Sequence, residues 1–285
     1  MFLPFHDDNP TRRRPVVTYG LVAVNVIAFL WFLQLAPAQR YDVTMHFGFV
    51  PARIAQLSRP QSVFVPRDAT MFHPRLGRVM VRQQVELKPD HGEILFSLVS
   101  CMFLHAGWGH LLGNMWFLWL FGNNVEDRLG HVLFLLFYLV GGLVGSACHW
   151  VIDPESLMPV IGASGAVAAV LGGYAITWPW ARVHTLVFIV IFITVVDLPA
   201  LAVLGAWFIL QLVLLAYGAG GVAFWAHVGG FLAGMAMMPV LGMLLGLNRP
   251  TTATRQPRPR EIPQDSHDRI IDVQILDDRD TRPRW

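Results

Sequence analysis

Residues 160–177 read VIGASGAVAAVLGGYAIT, a run without a single charge, in which Ser164 stands between Gly162-Ala163 and Gly165. Two other charge-free stretches also carry polar residues: His110-Leu111-Leu112-Gly113-Asn114 lies within 94–125 and Ala226-His227 within 222–247. Lipid makes polar side chains costly, so those kept in such segments face the protein interior and mark a function. A serine among small residues, with a histidine on a later helix, suggests a nucleophile and its general base. The rest of the chain agrees with a membrane setting. Of its 285 residues 54% are hydrophobic and 14% are charged, against about 25% charged in soluble domains. A net charge of +2 is too small to suggest a nucleic-acid partner. Cys101 and Cys148 do not make a disulfide framework and read as buried free thiols.

A membrane-spanning helix needs about 20 mostly apolar residues. Segment 16–36 fits, and residues 1–9 lack a signal-peptide pattern, so this span is expected to stay as an anchor. Residues 94–125 are too long for one untilted span. Gly107-Trp108-Gly109 divides an interfacial piece from a helix running from about Trp108 to Asn124. Segments 130–152, 160–177, 198–217 and 222–247 supply the remaining spans, with Asp197-Leu198-Pro199 read as a helix N-cap and first-turn proline. The apolar run 183–196 is short for a crossing and reads as an interfacial or re-entrant segment on the cytoplasmic side. Connector 37–93 contains Pro51, Pro60, Pro66, Pro74 and Pro89 and is unsuited to a span. Alternation over 79–87 suggests a strand or hairpin arm within it.

The expected fold is therefore all-α, a polytopic membrane bundle of six transmembrane helices with a long first loop. Residues 1–15 form its cytoplasmic N-terminus and 16–247 the membrane domain, with 37–93 as the extracytoplasmic first loop. Residues 248–285, rich in Pro, Arg and Asp, read as a disordered cytoplasmic tail. With six spans, Arg12, Arg13, Arg14, Arg128, Arg182, Arg249, Arg255, Arg258 and Arg260 share one side, and Asp153 and Glu155 fall on the other. The positive-inside rule then puts both termini in the cytoplasm, and a bacterial inner (plasma) membrane is the expected location.

His110 and Asn114, four residues apart, share one helix face and can donate to one point. A developing oxyanion needs such donors, each worth about 10²–10³ in rate, although hydrogen bonding between helices would use the same pair. Ser164 opens its span, where first-turn N–H groups are free to bind an anion. The same stretch also suits a packing seam, because Gly165, Ala169 and Gly173 lie on one face. His227 precedes Gly230 and Gly234, whose spacing lets two helix backbones nearly touch. Set against the seam below Ser164, it would bring the imidazole to the serine hydroxyl. His105 reads as a structural hydrogen-bonder, His149 as interfacial, and His131 and His184 as boundary residues. A zinc site from His105, His110 and His227 has no His-Glu-x-x-His pattern behind it, so neither metal nor cofactor is expected.

Taken together and in this order, His110-x-x-x-Asn114, Gly162-Ala163-Ser164-Gly165 and Ala226-His227-Val228-Gly229-Gly230-x-x-x-Gly234 resemble the rhomboid intramembrane serine proteases. Met102-Phe103-Leu104-His105-Ala106-Gly107 and Glu126-Asp127-Arg128-Leu129-Gly130 are similar to that family too, so the likeness covers about 94–246. The resemblance implies a six-helix bundle with a water-filled cavity open to the outer side. Ser164 and His227 would be the catalytic dyad, and His110, Asn114 and the Ser164 N–H the oxyanion hole. Substrates would be single-span membrane proteins, entering near the second and fifth spans. Phe96-Ser97 stand where some members have Trp-Arg, and Ala168 where some have a tyrosine packed on the histidine. A rhomboid-like protein that binds or escorts membrane helices without cutting them is the alternative. A transporter is less suited, since no inverted repeat is evident.

Overall fold

The computed structural model describes residues 2–73, 75, 77–189, 192–217 and 222–246. In chain order they form β1 (Phe2–Asp7), α1 (Val16–Gln34), α2 (Pro37–Phe47), a 3-10 turn (Pro51–Leu57), β2 (Val63–His73), β3 (Gly77–Leu87) and α3 (His91–Ser100). A short 3-10 turn (Cys101–Phe103) leads to α4 (Trp108–Leu129), α5 (His131–Ile152) and α6 (Ser164–Thr177). The chain continues through β4 (Arg182–Ile189), β5 (Phe192–Pro199), α7 (Ala200–Ala216) and α8 (Phe224–Leu244). The expected tail 248–285 lies outside the described residues.

Among the described residues α1, α5 and α8 are long and apolar enough to cross a bilayer, with mean hydropathies of 2.2, 1.9 and 1.5. The segments His91–Phe103 and Trp108–Leu129, bent by 80° between them, pass the same test as a pair. α6 and α7 are apolar but shorter, at 14 and 17 residues. At 1.5 Å per residue α6 is only about 21 Å long, less than the roughly 30 Å of a hydrocarbon core.

α6 is the core of the bundle: each residue from 165 to 175 is buried. It packs against α4, α5, α7 and, most extensively, α8. Two glycines on α8 permit that approach. A β-carbon on Gly230 would run into the Gly165 carbonyl, and one on Gly234 into the Ala169 carbonyl. Around this seam the side chains of Tyr138, Tyr174, Phe121, Phe134, Leu118 and Leu171 are fully enclosed.

The last turn of α4 holds the start of α1. The first backbone N–H groups of a helix have no partner within it. Here the buried Glu126 carboxylate accepts from the N–H groups of Val17 (2.8 Å) and Thr18 (2.7 Å) and from the Thr18 hydroxyl (2.6 Å). Asp127 accepts from the N–H groups of Arg12 and Arg13, at 3.1 and 2.7 Å.

The long connector after α1 is folded. β2 and β3 pair antiparallel from Val63↔Leu87 to His73↔Gly77. Arg53 in the preceding 3-10 turn is 2% exposed; it bonds the Glu93 carboxylate, Gln56 Oε1 and the Lys88 carbonyl, which ties the connector to α3.

The all-helical expectation needs correction at the other end. Residues 183–189 and 192–196 of the run expected to be interfacial or re-entrant are strands. They belong to β4 and β5, which pair antiparallel and which β1 extends to a sheet of order β1-β4-β5. Their Val, Ile, Thr and Phe content favours strands, and the ladder satisfies the backbone polar groups that an apolar setting penalises. Residues 1–15, expected as a plain terminus, include β1. The proposed N-cap at Asp197 is also displaced. Pro199 precedes α7 with no side-chain cap, while Asp197 stays in β5 and its carboxylate bonds His184 Nδ1 at 2.6 Å. Asp7 of β1 points into the bundle, where Tyr174 Oη (2.5 Å) and Asn124 Nδ2 (3.0 Å) donate to it. Burial pushes its carboxyl up to about 6.

Replacing Gly234 with alanine is expected to cost about 1–3 kcal/mol by overpacking the α6–α8 seam. Gly20 on α1 has open space around it, so Gly20→Ala should be neutral or slightly stabilising. Unfolding in detergent micelles measures both, and equal losses would contradict the packing account.

Candidate active site

Ser164 is the first residue of α6, reached from α5 by a strap that is bonded at successive positions. Phe49 and Val160 exchange backbone hydrogen bonds of 3.0 and 2.8 Å, and the Gly162 N–H donates to the Cys101 carbonyl at 2.8 Å. The Ala163 N–H approaches His105 Nε2 at 3.4 Å. Gly162 has φ +122°, and a β-carbon there would stand 2.5 Å from His110 Cε1. Both the backbone conformation and the imidazole lying against it therefore require glycine.

His227 enters one turn into α8 and is 9% exposed. Its Nε2 lies 2.7 Å from Ser164 Oγ and its Nδ1 2.8 Å from Gln211 Oε1 on α7. The Gln211 amide nitrogen donates back to the Trp207 carbonyl at 3.3 Å. A carbonyl can only accept, so Oε1 is the atom turned to the imidazole. That fixes the proton on His227 Nδ1 and leaves Nε2 to accept from the serine hydroxyl. The rings of Trp207 (6.1 Å between centroids) and Phe224 (6.0 Å) flank the imidazole.

His110 and Asn114 project from the first turns of α4 into the same cavity, of about 730 Å³, whose lining includes Ser164, His149, Gln211 and His227. Asn114 Nδ2 is 3.0 Å from His105 Nε2. The Ala163 N–H shares that nitrogen, which is therefore the acceptor and carries no proton. The His105 and His110 rings meet edge-on, 5.1 Å between centroids. His105, fully buried, thus positions both Asn114 and the residue before Ser164. His149, read from sequence as interfacial, lines the cavity.

The structure brings Ser164 and His227 into contact and places His110 and Asn114 in the lining of the same cavity. The residue that sequence reasoning missed is Gln211. A signal existed: it is the sole amide side chain in apolar segment 198–217, and such a polar residue seldom goes unused. Gln211 and the two flanking rings surround the histidine.

A bundle of membrane-type helices enclosing a hydrogen-bonded serine–histidine pair defines a polytopic membrane protein with a polar internal site. Comparison with known proteins agrees. The family model described as the Rhomboid domain matches residues 92–244. RHOMBOID-like protein 4 of Arabidopsis thaliana is 32% identical over 226 residues, covering 77% of this chain and 51% of that one. Rhomboid protein 1, mitochondrial, of Saccharomyces cerevisiae is 31% identical over 173 residues, 57% of this chain and 46% of the other. Rhomboid protease GluP of Bacillus subtilis is 40% identical over 77 residues, 27% and 15% respectively. The chain belongs to the rhomboid family, which includes intramembrane serine proteases, and it spans about half or less of the length of these relatives.

Gln211→Leu removes the Nδ1 acceptor and is expected to slow the reaction of Ser164 with a fluorophosphonate by about tenfold to a hundredfold, as part of the general-base contribution. Gln211→Glu, which keeps an acceptor oxygen in place, should restore the rate. Recovery with glutamate separates orientation of the imidazole from a loss of packing on α7. Failure of both variants alike would mean that Gln211 serves only packing.

Proposed function

We propose that the chain is an intramembrane serine endopeptidase that hydrolyses peptide bonds in or near transmembrane segments of membrane proteins. The observation that carries this reading is the 2.7 Å contact between Ser164 Oγ and His227 Nε2 in a cavity that His110 and Asn114 also line. In the proposed reaction Ser164 Oγ attacks the scissile carbonyl while His227 Nε2 takes its proton. Gln211 stabilises the imidazolium through the Nδ1–H. His227 then gives the proton to the leaving amine, and an acyl-enzyme remains on Ser164. A water, deprotonated by the same imidazole, hydrolyses that ester and returns the serine.

The tetrahedral oxyanion would be met by the Ser164 N–H at the start of α6, by His110 and by Asn114 Nδ2. Free first-turn N–H groups and side-chain donors aimed at one point are what such an intermediate requires. His105 holds Asn114 Nδ2 by only one of its two amide protons, leaving the other for substrate.

For the membrane arrangement we take α1, α4, α5, α6, α7 and α8 as six crossings. Residues 37–93 form an extracytoplasmic first loop. The arginines at 12–14, 128 and 182 then share the cytoplasmic side with both termini. A short α6 suits this arrangement, because its first turn then starts below the outer headgroups and its free N–H groups stay out of bulk water. Single-span proteins are the substrate class that fits an opening between neighbouring helices. The bacterial inner membrane is one host for such a protein. It gains no support from relatives named chloroplastic and mitochondrial as well as bacterial.

A fluorophosphonate serine probe is expected to label the purified full-length protein, with labelling abolished in Ser164→Ala and in His227→Ala. His110→Ala and Asn114→Ala should each lower the labelling rate by about 10²–10³. A folded wild-type chain that stays unlabelled beside a labelled rhomboid protease would favour a protein that binds or escorts membrane helices without cutting them.

A further inference from the structure

The opposite end of the molecule carries a cluster that the serine–histidine site does not use. In β1 successive side chains alternate between faces. Asp7 points into the bundle, so His6 and Asp8 point away from it, and both are exposed. His6 is the register partner of His184 on β4, and their rings stack at 5.4 Å between centroids. His184 Nε2 lies 2.8 Å from Asp8 Oδ1 and its Nδ1 2.6 Å from Asp197 Oδ1 on β5. Two imidazoles and a carboxylate thus converge from one face of the sheet, and a second carboxylate sits behind one of the rings.

We propose that His6, Asp8 and His184 bind a Zn²⁺ ion, with Asp197 orienting His184. One ligand atom from each of the three residues lies within 4.8 Å of the others. Zinc bonds of about 2.0–2.1 Å require these atoms to draw together by about an ångström, which the exposed side chains of His6 and Asp8 permit. Two nitrogens and one oxygen, with a water in the fourth position, suit tetrahedral Zn²⁺. The ion takes the place of the proton between His184 Nε2 and Asp8 Oδ1, and that proton leaves to solvent. Donation from Nδ1–H to Asp197 is the carboxylate–histidine–metal arrangement that fixes a ligand's tautomer and raises its basicity.

The bound ion would clip the N-terminal strand to the β4–β5 hairpin. That sheet packs on α4 through β1 and on α7 through β4 and β5, so the clip ties together the elements that bear on those two helices. The proposal does not depend on the reactivity of Ser164.

The test is a Co²⁺ titration of the full-length chain, free of any polyhistidine tag, in detergent micelles, read by visible absorption and followed by Zn²⁺ competition. One tetrahedral Co²⁺ per chain is expected, displaced by Zn²⁺. His6→Ala should weaken binding by at least about tenfold, and Asp197→Asn by about tenfold to a hundredfold. His91→Ala, at an exposed position at the start of α3, should change nothing. Zn²⁺ should raise the unfolding temperature of the wild type and not that of His6→Ala. His6 is exposed, so its replacement leaves the fold intact, and circular dichroism checks this. A wild type that shows no tetrahedral spectrum overturns the proposal. So does a spectrum unchanged by both His6→Ala and Asp197→Asn, since the ion would then lie elsewhere, such as among the cavity histidines.

Discussion

The close contact of α6 with α8 is the constraint on which the site depends. Ser164 and His227 lie 63 positions apart in the chain, and a hydrogen bond between them tolerates only a few tenths of an ångström around about 2.8 Å. A single methyl group on the shared face would exceed that tolerance. Gly230 and Gly234 on α8 leave room for α6 carbonyls, and Gly145 on α5 leaves room for the Ala226 carbonyl beside His227. In lipid no hydrophobic force drives helices together, so close packing of small residues must do so. The seam that brings the backbones together is also what sets the reach of the dyad.

Two buried carboxylates in this frame are given specific partners instead of water. Glu126 is 1% exposed and is met by two backbone N–H groups, a hydroxyl and His131. Asp7 is met by a phenol and an amide. Each carboxylate also joins elements distant in sequence, α4 to α1 in one case and β1 to α4 and α6 in the other. Burying an unpaired polar group would cost several kcal/mol, at about 1–3 kcal/mol even for a neutral one. The partners of these two side chains therefore determine where the first helix and first strand lie.

The helical part of the fold was legible because charge-free runs with glycine, proline or acidic punctuation leave few alternatives. The expected boundaries of the segments that became α1, α5 and α8 fall within a few residues of the observed ends, while α4 runs on past the expected Asn124 to Leu129. Run 183–196 was not legible as strands. A continuous apolar run has no helix or strand period, and its partner β1 is some 180 positions away, beyond any local pattern. Asp197-Leu198-Pro199 misled for a similar reason. The motif has the chemistry of a helix start, yet the carboxylate had a better partner in His184.

The sequence by itself determined the chemical inventory. A serine in a small-residue turn, a histidine above a glycine pair and a His-x-x-x-Asn face stood out because apolar surroundings make each polar residue conspicuous. Tertiary structure alone decided which groups act on which. Gln211 on His227, His105 on Asn114, and His6 with Asp8 on His184 are pairings across different elements. Hydrogen bonds and metal coordination act over about 2–3 Å, and only the packing of helices and strands brings such distant residues within that distance.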